Sequence, residues 1–283
     1  MTVARRVAVC GKPIGHSLSP VIHAAGFAAA GLFDWSYQRI ECAESEFAEV
    51  VAGLGPEWAG LSVTMPLKAV ALTIASEAGA VARAIGAANT LVHRPDGSWF
   101  ADNTDVPGMV RVLQDAGVAH ADRSGAGPTV TVLGGGGTAR AALAAAARLG
   151  VRDAVTVVTR RPAAIEELRP VAYALGVRLT GVDWARATDC LNADAVISTV
   201  PKGAADELAR AARWRLGTVY FDAIYDPWPT PLAASATAAG NRVASGLDLL
   251  LAQALGQFEQ FTGVIPAPEA AMRAALQAAA ALR

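Results

Sequence analysis

The chain has 283 residues, of which 53% are hydrophobic and 17% charged, and its formal net charge is −1. This composition is too apolar for a disordered protein, and the length favours two domains that share a cleft. Because no long basic or acidic run is present, the sequence has no electrostatic signature for binding nucleic acid or an anionic membrane surface. A small-molecule partner is therefore expected.

Metal binding, secretion and membrane insertion are not predicted either. Neither the three cysteines nor the four histidines have metal-ligand spacing, and an odd number of separated cysteines does not suggest a disulfide framework. The apolar segment after Arg6 is interrupted at Lys12, before the core of a secretion signal could develop. The alanine-rich stretch 141–147 is too short to span a membrane. We therefore expect a cytoplasmic protein.

The first third of the chain alternates predicted strands and helices. Strands are predicted over residues 6–10, 35–40 and 61–64, and helices over 20–30, 44–54 and from Pro66 onward. Such alternation predicts a largely parallel sheet.

A polar segment, 121–128, is predicted to be a surface loop, and a second α/β pattern follows it. A helix over 109–116 precedes the loop, and the elements after it are strand 129–133, helix 139–149 and strands 154–158, 193–199 and 218–224. This order resembles a doubly wound nucleotide-binding domain. The tail, 247–283, has a helical pattern with one break at 263–268, and we expect it to pack on the first domain.

A glycine-rich turn lies between the strand at 129–133 and the helix that follows it. Its residues, Gly134-Gly135-Gly136-Gly137-Thr138-Ala139, fit the form G-x-G-x-x-A. Glycines let the backbone approach a pyrophosphate, and the helix N-terminus offers free N–H groups to the phosphates. The alternative is a tight turn without a ligand.

The end of the next strand indicates which dinucleotide is bound. An NAD site usually has an acidic residue there, whereas this chain has Thr159-Arg160-Arg161. Guanidinium groups bind phosphate through paired, charge-assisted hydrogen bonds, which favours a 2′-phosphorylated ribose and therefore NADP. The alternative is that both arginines are solvated loop charges.

Four polar motifs occur in the first domain. In Ser17-Leu18-Ser19-Pro20, hydroxyls and backbone donors at a helix start could bind a carboxylate, or either serine could cap the helix. In the segment 62–68, Lys68 is expected in the first helical turn, where the dipole disfavours a cation; it is either a poised lysine or a surface lysine. For the motif 86–90 the local alternative is a plain polar turn at Asn89, and for 103–105 it is helix capping by Thr104 or Asp105.

Taken in order, seven motifs resemble those of the shikimate dehydrogenase family. They are SLSP, SVTMPLK, GAANT, NTDVPG, GGGGTAR, DAIYDPWPTPL and GLDLLLAQALGQFEQFTG, and together they extend over nearly the whole chain. The resemblance implies an α/β fold of two domains, with a substrate domain over 1–106 and 247–283. A Rossmann-type NADP domain over 107–246 is inserted into it.

The resemblance also assigns roles to individual residues. It implies that Lys68 and Asp105 form the catalytic pair. Substrate contacts are implied for Ser17, Ser19, Thr64, Asn89, Tyr225 and Gln253. Cofactor contacts are implied for Gly134, Gly136, Gly137, Thr159, Arg160, Arg161 and Gly246. Without the family, Tyr225 would be a strand-end aromatic, Gln253 an exposed helix residue and Gly246 an ordinary turn.

Four positions depart from the family pattern. Ser62 and Thr159 stand where the family often has asparagine, Leu249 where it often has methionine, and Phe261 where it often has tryptophan. These departures concern fine cofactor contacts and packing beside the nicotinamide, and they do not change the type of reaction.

The implied activity is the reversible, NADP-dependent reduction of 3-dehydroshikimate to shikimate by a monomer or homodimer. The alternatives are an NAD-preferring quinate/shikimate dehydrogenase, a non-catalytic NADP-sensing relative, and a folate-oxidising dehydrogenase of similar shape. The arginine pair argues against the first alternative, and the presence of both Lys68 and Asp105 argues against the second. SLSP and NTD suit a small hydroxylated acid and argue against the third.

Overall fold

The structure is a computed structural model that describes residues 4–121, 127–151 and 153–282. The chain forms two compact units, one of Met1–Asp105 with Leu250–Arg283 and one of Val106–Leu249. Residues 122–126 of the predicted surface loop lie outside the described residues. Two units of this kind agree with the predicted two-domain α/β class, in which the second domain interrupts the first.

The first unit contains one mixed sheet and its covering helices. Its strands are β1 (Arg5–Gly11), β2 (Trp35–Glu41), β3 (Trp58–Val63), β4 (Glu77–Ala78), β5 (Thr90–His93) and β6 (Trp99–Asp102). Its helices are α1 (Ser19–Ala29), α2 (Glu44–Ala52), α3 (Lys68–Ile74), α4 (Ala80–Ile85) and α11 (Glu269–Ala280), joined by α10 (Gly246–Thr262) from Leu250 onward.

The strand order in the first sheet is β2-β1-β3-β5-β6-β4. β1 pairs with β2 and β3 in parallel, whereas β5 is antiparallel to both β3 and β6. Apolar side chains such as Phe47, Leu61, Leu67 and Leu91 are fully buried in the core beside this sheet. Because β1 and β3 are parallel neighbours, the segments that follow them, which carry SLSP and TMPLK, leave the sheet at the same edge.

The second unit contains a six-stranded parallel sheet. Its strands are β7 (Val130–Leu133), β8 (Val155–Thr159), β9 (Leu179–Asp183), β10 (Ala195–Ser198), β11 (Val219–Asp222) and β12 (Arg242–Ala244). Its helices are α6 (Gly137–Leu149), α7 (Pro162–Ala174), α8 (Asp206–Ala211) and α9 (Pro231–Ala238), with a short 3₁₀ helix at Trp184–Cys190. The helix α5 (Asp105–Asp115) begins at the last residue of the first unit's N-terminal segment and continues into the second unit.

The strand order of this second sheet is β12-β11-β10-β7-β8-β9. Renumbered from β7, the order is 6-5-4-1-2-3, which is the doubly wound arrangement of dinucleotide-binding domains. The strands β7, β10 and β11 are buried throughout, as expected for a sheet covered on both faces. The order reverses between β7 and β10, so the glycine turn after β7 lies where such folds bind ligands.

The structure corrects several predicted elements. α3 begins at Lys68 instead of Pro66, because residues 64–67 form a turn in which the Leu67 N–H donates to the Thr64 carbonyl at 2.9 Å. The short strands β4, β5, β6, β9 and β12 were not predicted, since none of them is a continuous buried apolar run such as β7, β10 and β11. Among the helices in the described part of the chain, none has both the length and the apolar character needed to cross a membrane.

Candidate active site

The side chains of Lys68 and Asp105 are in direct contact in the first unit. Lys68 Nζ lies 2.6 Å from Asp105 Oδ2, and the two side chains are 32% and 15% exposed. Lys68 is the first residue of α3 and Asp105 is the first residue of α5, so the start of each helix positions one partner. The contact is short and charge-assisted, and both side chains are still partly exposed to solvent.

Asn89 is buried and joins this pair to the rest of the site. The backbone N–H of Thr104 donates to Asn89 Oδ1 at 2.8 Å, which directs Asn89 Nδ2 toward Asp105. Nδ2 donates to Asp105 Oδ1 at 2.9 Å and to Thr104 Oγ1 at 3.0 Å. Each oxygen of the Asp105 carboxylate therefore has its own donor, Lys68 on one side and Asn89 on the other.

Gln253 and Thr64 belong to the same unit. Gln253 is only 8% exposed, so the prediction that it would be an exposed helix residue without the family is wrong. Its Oε1 lies 3.4 Å from Asn89 Nδ2, and its Nε2 donates to the Leu250 carbonyl at 2.8 Å. Thr64 directly follows β3 and is partly exposed, with its backbone N–H bonded to the Cys10 carbonyl at 2.9 Å.

The two serines of SLSP lie at the start of α1, but neither is its N-cap residue. Leu18 occupies that position, and no side chain caps the helix there. The Ser17 hydroxyl accepts a weak hydrogen bond from the Ser19 N–H at 3.3 Å, and Arg39 Nη2 donates to the Ser17 carbonyl at 2.6 Å. The helix-capping alternative for these serines is therefore wrong.

The structure adds polar residues to which the sequence assigned no role. Tyr37, on β2, donates to Ser62 Oγ at 2.6 Å. Gln257, on α10, accepts from Ser62 Oγ at 2.7 Å and donates to the Asn89 carbonyl at 2.9 Å. The only signal for Gln257 in the sequence was its place within the last family motif. These contacts join Tyr37 to Asn89 through Ser62 and Gln257.

His23 packs beneath this network without taking part in it. Its ring stacks on Tyr37 with the centroids 4.4 Å apart, and within the described part of the chain neither ring nitrogen has a hydrogen-bond partner. Burial lowers the pKa of His23 from 6.5 to about 3. Burial also raises the pKa of Tyr37, so its hydroxyl keeps its proton and acts as a donor.

The glycine turn in the second unit leaves its backbone open at the start of α6. Gly134 has φ +109° and packs against Thr199, where a side chain would be both strained and obstructed. A Cβ at Gly136 or Gly137 would meet no atom within 4 Å, so the backbone is open to a ligand on that side. α6 starts at Gly137 without a side-chain cap, and its first N–H groups are therefore available to phosphate oxygens.

The segment after β8 presents two arginines in different settings. Both are exposed; Arg161 lies 3.7 Å from Glu167, whereas Arg160 makes no hydrogen bond or ion pair with any residue that the structure describes. The Thr159 hydroxyl accepts from the Arg161 N–H at 3.2 Å and so shapes the turn that carries both guanidinium groups. Arg160 is thus the freer of the two to bind an anion.

Tyr225 and Gly246 are neighbours in the second unit. A Cβ at Gly246 would overlap the Ala223 carbonyl oxygen and approach the Tyr225 ring at 3.0 Å. The Gly246 N–H also donates to the Ile224 carbonyl at 3.3 Å. This local packing requires glycine at 246 whether or not a cofactor passes beside it.

Comparisons with known proteins agree with the resemblance inferred from the seven motifs. A family model described as the shikimate dehydrogenase substrate binding domain matches residues 9–91. A second, described as the shikimate 5'-dehydrogenase C-terminal domain, matches residues 246–282. The two family models match the two ends of the chain, and the residues between them are covered by matches to whole relatives.

Full-length relatives match the chain from end to end. The shikimate dehydrogenase (NADP(+)) of Caulobacter vibrioides is 39% identical over 274 residues, which is 94% of this chain and 92% of the relative. The solved shikimate dehydrogenase of Mycobacterium tuberculosis is 46% identical with a TM-score of 0.84, covering 97% of this chain and 99% of that one. A Thermus thermophilus shikimate 5-dehydrogenase, solved in complex with NADP(H) and shikimate, is 28% identical with a TM-score of 0.82, covering 97% and 99%. The chain belongs to the shikimate dehydrogenase family.

Proposed function

We propose that this chain catalyses the reversible, NADP-dependent reduction of 3-dehydroshikimate to shikimate, with Lys68 and Asp105 as its catalytic pair. The observation that carries the assignment of this pair is the 2.6 Å contact between Lys68 Nζ and Asp105 Oδ2. The reaction is that of an oxidoreductase acting on a CH–OH group. The relatives named shikimate dehydrogenase (NADP(+)), and the related structure with NADP(H) and shikimate, support this substrate and this cofactor.

Lys68, oriented by Asp105, stabilises the negative charge on the reacting oxygen and donates a proton to it. As the ketone becomes an alcohol, negative charge develops on its oxygen, and an ammonium beside that oxygen stabilises the charge and donates a proton. Asp105 orients Lys68 through Oδ2 and is itself held through Oδ1 by Asn89. Because the two groups are in contact, the pair acts as one coupled proton carrier.

The hydroxyls of SLSP are suited to the substrate's carboxylate. Ser17 and Ser19 lie at the start of α1, where hydroxyl and backbone donors converge and the helix dipole favours an anion. The Arg39 guanidinium at the Ser17 carbonyl adds positive charge to the same loop. Thr64, Asn89 and Gln253 in the first unit, and Tyr225 in the second, would contact the ring hydroxyls or the carboxylate.

The residues of the second unit fit a bound NADP. Gly134, Gly136 and Gly137 leave room for the pyrophosphate, and the N-terminus of α6 supplies donors to it. Arg160 would bind the ribose phosphate, with Thr159 shaping its turn and Arg161 as a second cation. Gly246 would lie on the nicotinamide side. When bound, NADPH supplies the hydride.

A spectrophotometric assay tests this function. NADP⁺ reduction at 340 nm is followed with shikimate and then with quinate, and both acids are repeated with NAD⁺. We expect turnover with shikimate and NADP⁺ to exceed the other three combinations. Higher turnover with NAD⁺ on both acids would instead identify an NAD-preferring quinate/shikimate dehydrogenase, and no turnover with any pair would identify a non-catalytic relative.

Oligomeric state is a separate prediction. We expect a monomer or a homodimer. Sedimentation velocity over a range of protein concentrations measures it directly.

A further inference from the structure

We propose that Gln257 is a positioning residue for the Lys68–Asp105 pair, acting through Asn89. The inference rests on the proposed function, and it assigns a role to a residue outside the catalytic and binding groups named above. Gln257 is 1% exposed and lies on α10, 168 residues from Asn89 in sequence. Its hydrogen bonds in the described part of the chain go to Ser62, Asn89 and Thr90, so an effect on Lys68 or Asp105 would pass through these residues.

Every polar atom of the Gln257 side chain is engaged. Nε2 donates to the Asn89 carbonyl at 2.9 Å and to Thr90 Oγ1 at 3.1 Å, and Oε1 accepts from Ser62 Oγ at 2.7 Å. Thr90 in turn donates from Oγ1 to Asn89 Oδ1 at 2.8 Å. Gln257 therefore holds Asn89 at its carbonyl directly and at its side-chain amide through Thr90.

Two backbone groups determine the direction of all these hydrogen bonds. The Asn89 carbonyl can only accept, so it must face Gln257 Nε2, which leaves Oε1 to accept from Ser62. The Thr104 backbone N–H can only donate, so it must face Asn89 Oδ1, which turns Asn89 Nδ2 toward Asp105. The amide orientations follow from these two constraints.

The result is a chain of donors with one direction, from Tyr37 to Asp105. Tyr37 donates to Ser62, Ser62 donates to Gln257, and Gln257 donates to the Asn89–Thr90 segment. Asn89 then donates to Asp105 Oδ1 at 2.9 Å. Because hydrogen bonds in such a chain polarise one another, the last donor is strengthened by those before it.

A purely apolar residue at 257 would fill the same volume but break this chain at its centre. The Asn89 carbonyl and the hydroxyls of Thr90 and Ser62 would each lose a partner inside a buried region. Asn89 would keep its hydrogen bonds to Thr104 and Asp105 but would lose the restraint from Gln257, so Asp105 would hold Lys68 less accurately. Since a displacement of about 1 Å can reduce turnover by roughly 10²-fold, the effect should appear in kcat.

The test compares Gln257→Met with Gln260→Met in the full-length protein. Gln260 lies on the same helix and donates to Asp102 Oδ2 at 2.8 Å, outside the chain of donors, so its substitution removes a similar hydrogen bond and serves as a control. For Gln257→Met we expect kcat with shikimate and NADP⁺ to fall about 10- to 100-fold, and KM for NADP⁺ to stay within about twofold of wild type. For Gln260→Met we expect kcat within about twofold of wild type, whatever happens to the thermal midpoint.

Tyr37→Phe is the second variant, and it removes only the hydroxyl at the far end. We expect kcat to fall about 3- to 10-fold at saturating shikimate, which is the effect of losing one neutral hydrogen bond. If Gln257→Met does not fold, Tyr37→Phe tests the inference by itself. An unchanged kcat of Tyr37→Phe, or a change confined to KM for shikimate, overturns the inference.

The two proposals fail in different ways. A wild-type protein without turnover on shikimate would overturn the proposed function and this inference with it. An active wild type, with Gln257→Met folded and its kcat equal to that of Gln260→Met, would overturn the role of Gln257 alone.

Discussion

From the contact between Lys68 and Asp105 we predict changes in two quantities, the activation free energy of turnover and the free energy of unfolding. The perturbation is Lys68→Met, which keeps the length and most of the volume of the side chain but removes its charge and its proton. Asp105→Asn and the double variant complete a thermodynamic cycle. The cycle separates the contribution of the pair to turnover from its contribution to folding.

The catalytic effect should be large. A positioned proton donor is worth about 10² to 10⁴ in rate, and loss of a charge that stabilises the developing oxyanion acts in the same direction. We therefore expect kcat of Lys68→Met to fall about 10³-fold, which corresponds to about 4 kcal/mol in the activation free energy. Binding of NADPH should change little, because Lys68 lies in the unit that does not contain the glycine turn.

The effect on folding should be much smaller. The Lys68 and Asp105 side chains are 32% and 15% exposed, so solvent screens the ion pair and can hydrate the aspartate that is left. Asp105 also keeps its hydrogen bond from Asn89 at 2.9 Å. We expect a loss of about 1 kcal/mol or less in the free energy of unfolding, which lowers Tm by roughly 2–4 °C in a protein of this size.

Steady-state kinetics with shikimate and NADP⁺, and thermal unfolding of the same preparations, measure the two quantities. Because the residues act as a unit, the double variant should lose about as much activity as the more damaging single variant. Near-normal turnover in Lys68→Met, or losses that simply multiply in the double variant, would refute the reasoning.

Two further predictions concern other parts of the molecule. Arg160→Ala should raise KM for NADP⁺ about 10- to 100-fold, the value of a charge-assisted hydrogen bond, and leave KM for NAD⁺ unchanged. Arg161→Ala, which removes the arginine beside Glu167, is the matched control, and an equal effect of both would contradict the assignment to Arg160. Burial lowers the pKa of His23 to about 3, so below about pH 6.5 the unfolded chain binds a proton that the folded chain does not, and stability falls as pH falls. Relative to His23→Leu, the wild type should therefore lose about 2 kcal/mol of unfolding free energy between about pH 7 and about pH 5. Urea titrations at both pH values measure the difference, and parallel pH dependences of the two proteins would contradict it.

The elements that were predicted well are those with strong local signals. The tail was expected to break at 263–268, and α10 ends at Thr262 while α11 begins at Glu269. The glycine turn was expected between a buried strand and a helix, and it lies between β7 and α6. In both cases the signal is a run of periodic apolar residues ended by glycine or proline, which acts over a few residues.

The elements that were missed have weak local signals. β5 and β6 are only half buried, unlike the equally short β7, and no residue of the edge strand β9 is buried. Their strand conformation comes from pairing with neighbours distant in the sequence, such as β3 with β5. The start of α3 was placed two residues early because proline favours a first helical turn in general, whereas here Pro66 belongs to the turn before it.

The sequence alone predicted the two-domain α/β class, the family and NADP as the cofactor, since each of these predictions follows from the order of motifs and from local residue chemistry. Only the tertiary structure decided which side chains meet. Lys68 and Asp105 are 37 residues apart, and Gln257 is 195 residues from Ser62, yet both pairs are in hydrogen-bond contact. Such contacts depend on how sheets and helices pack over the whole unit, and residue spacing along the chain carries no measure of that distance.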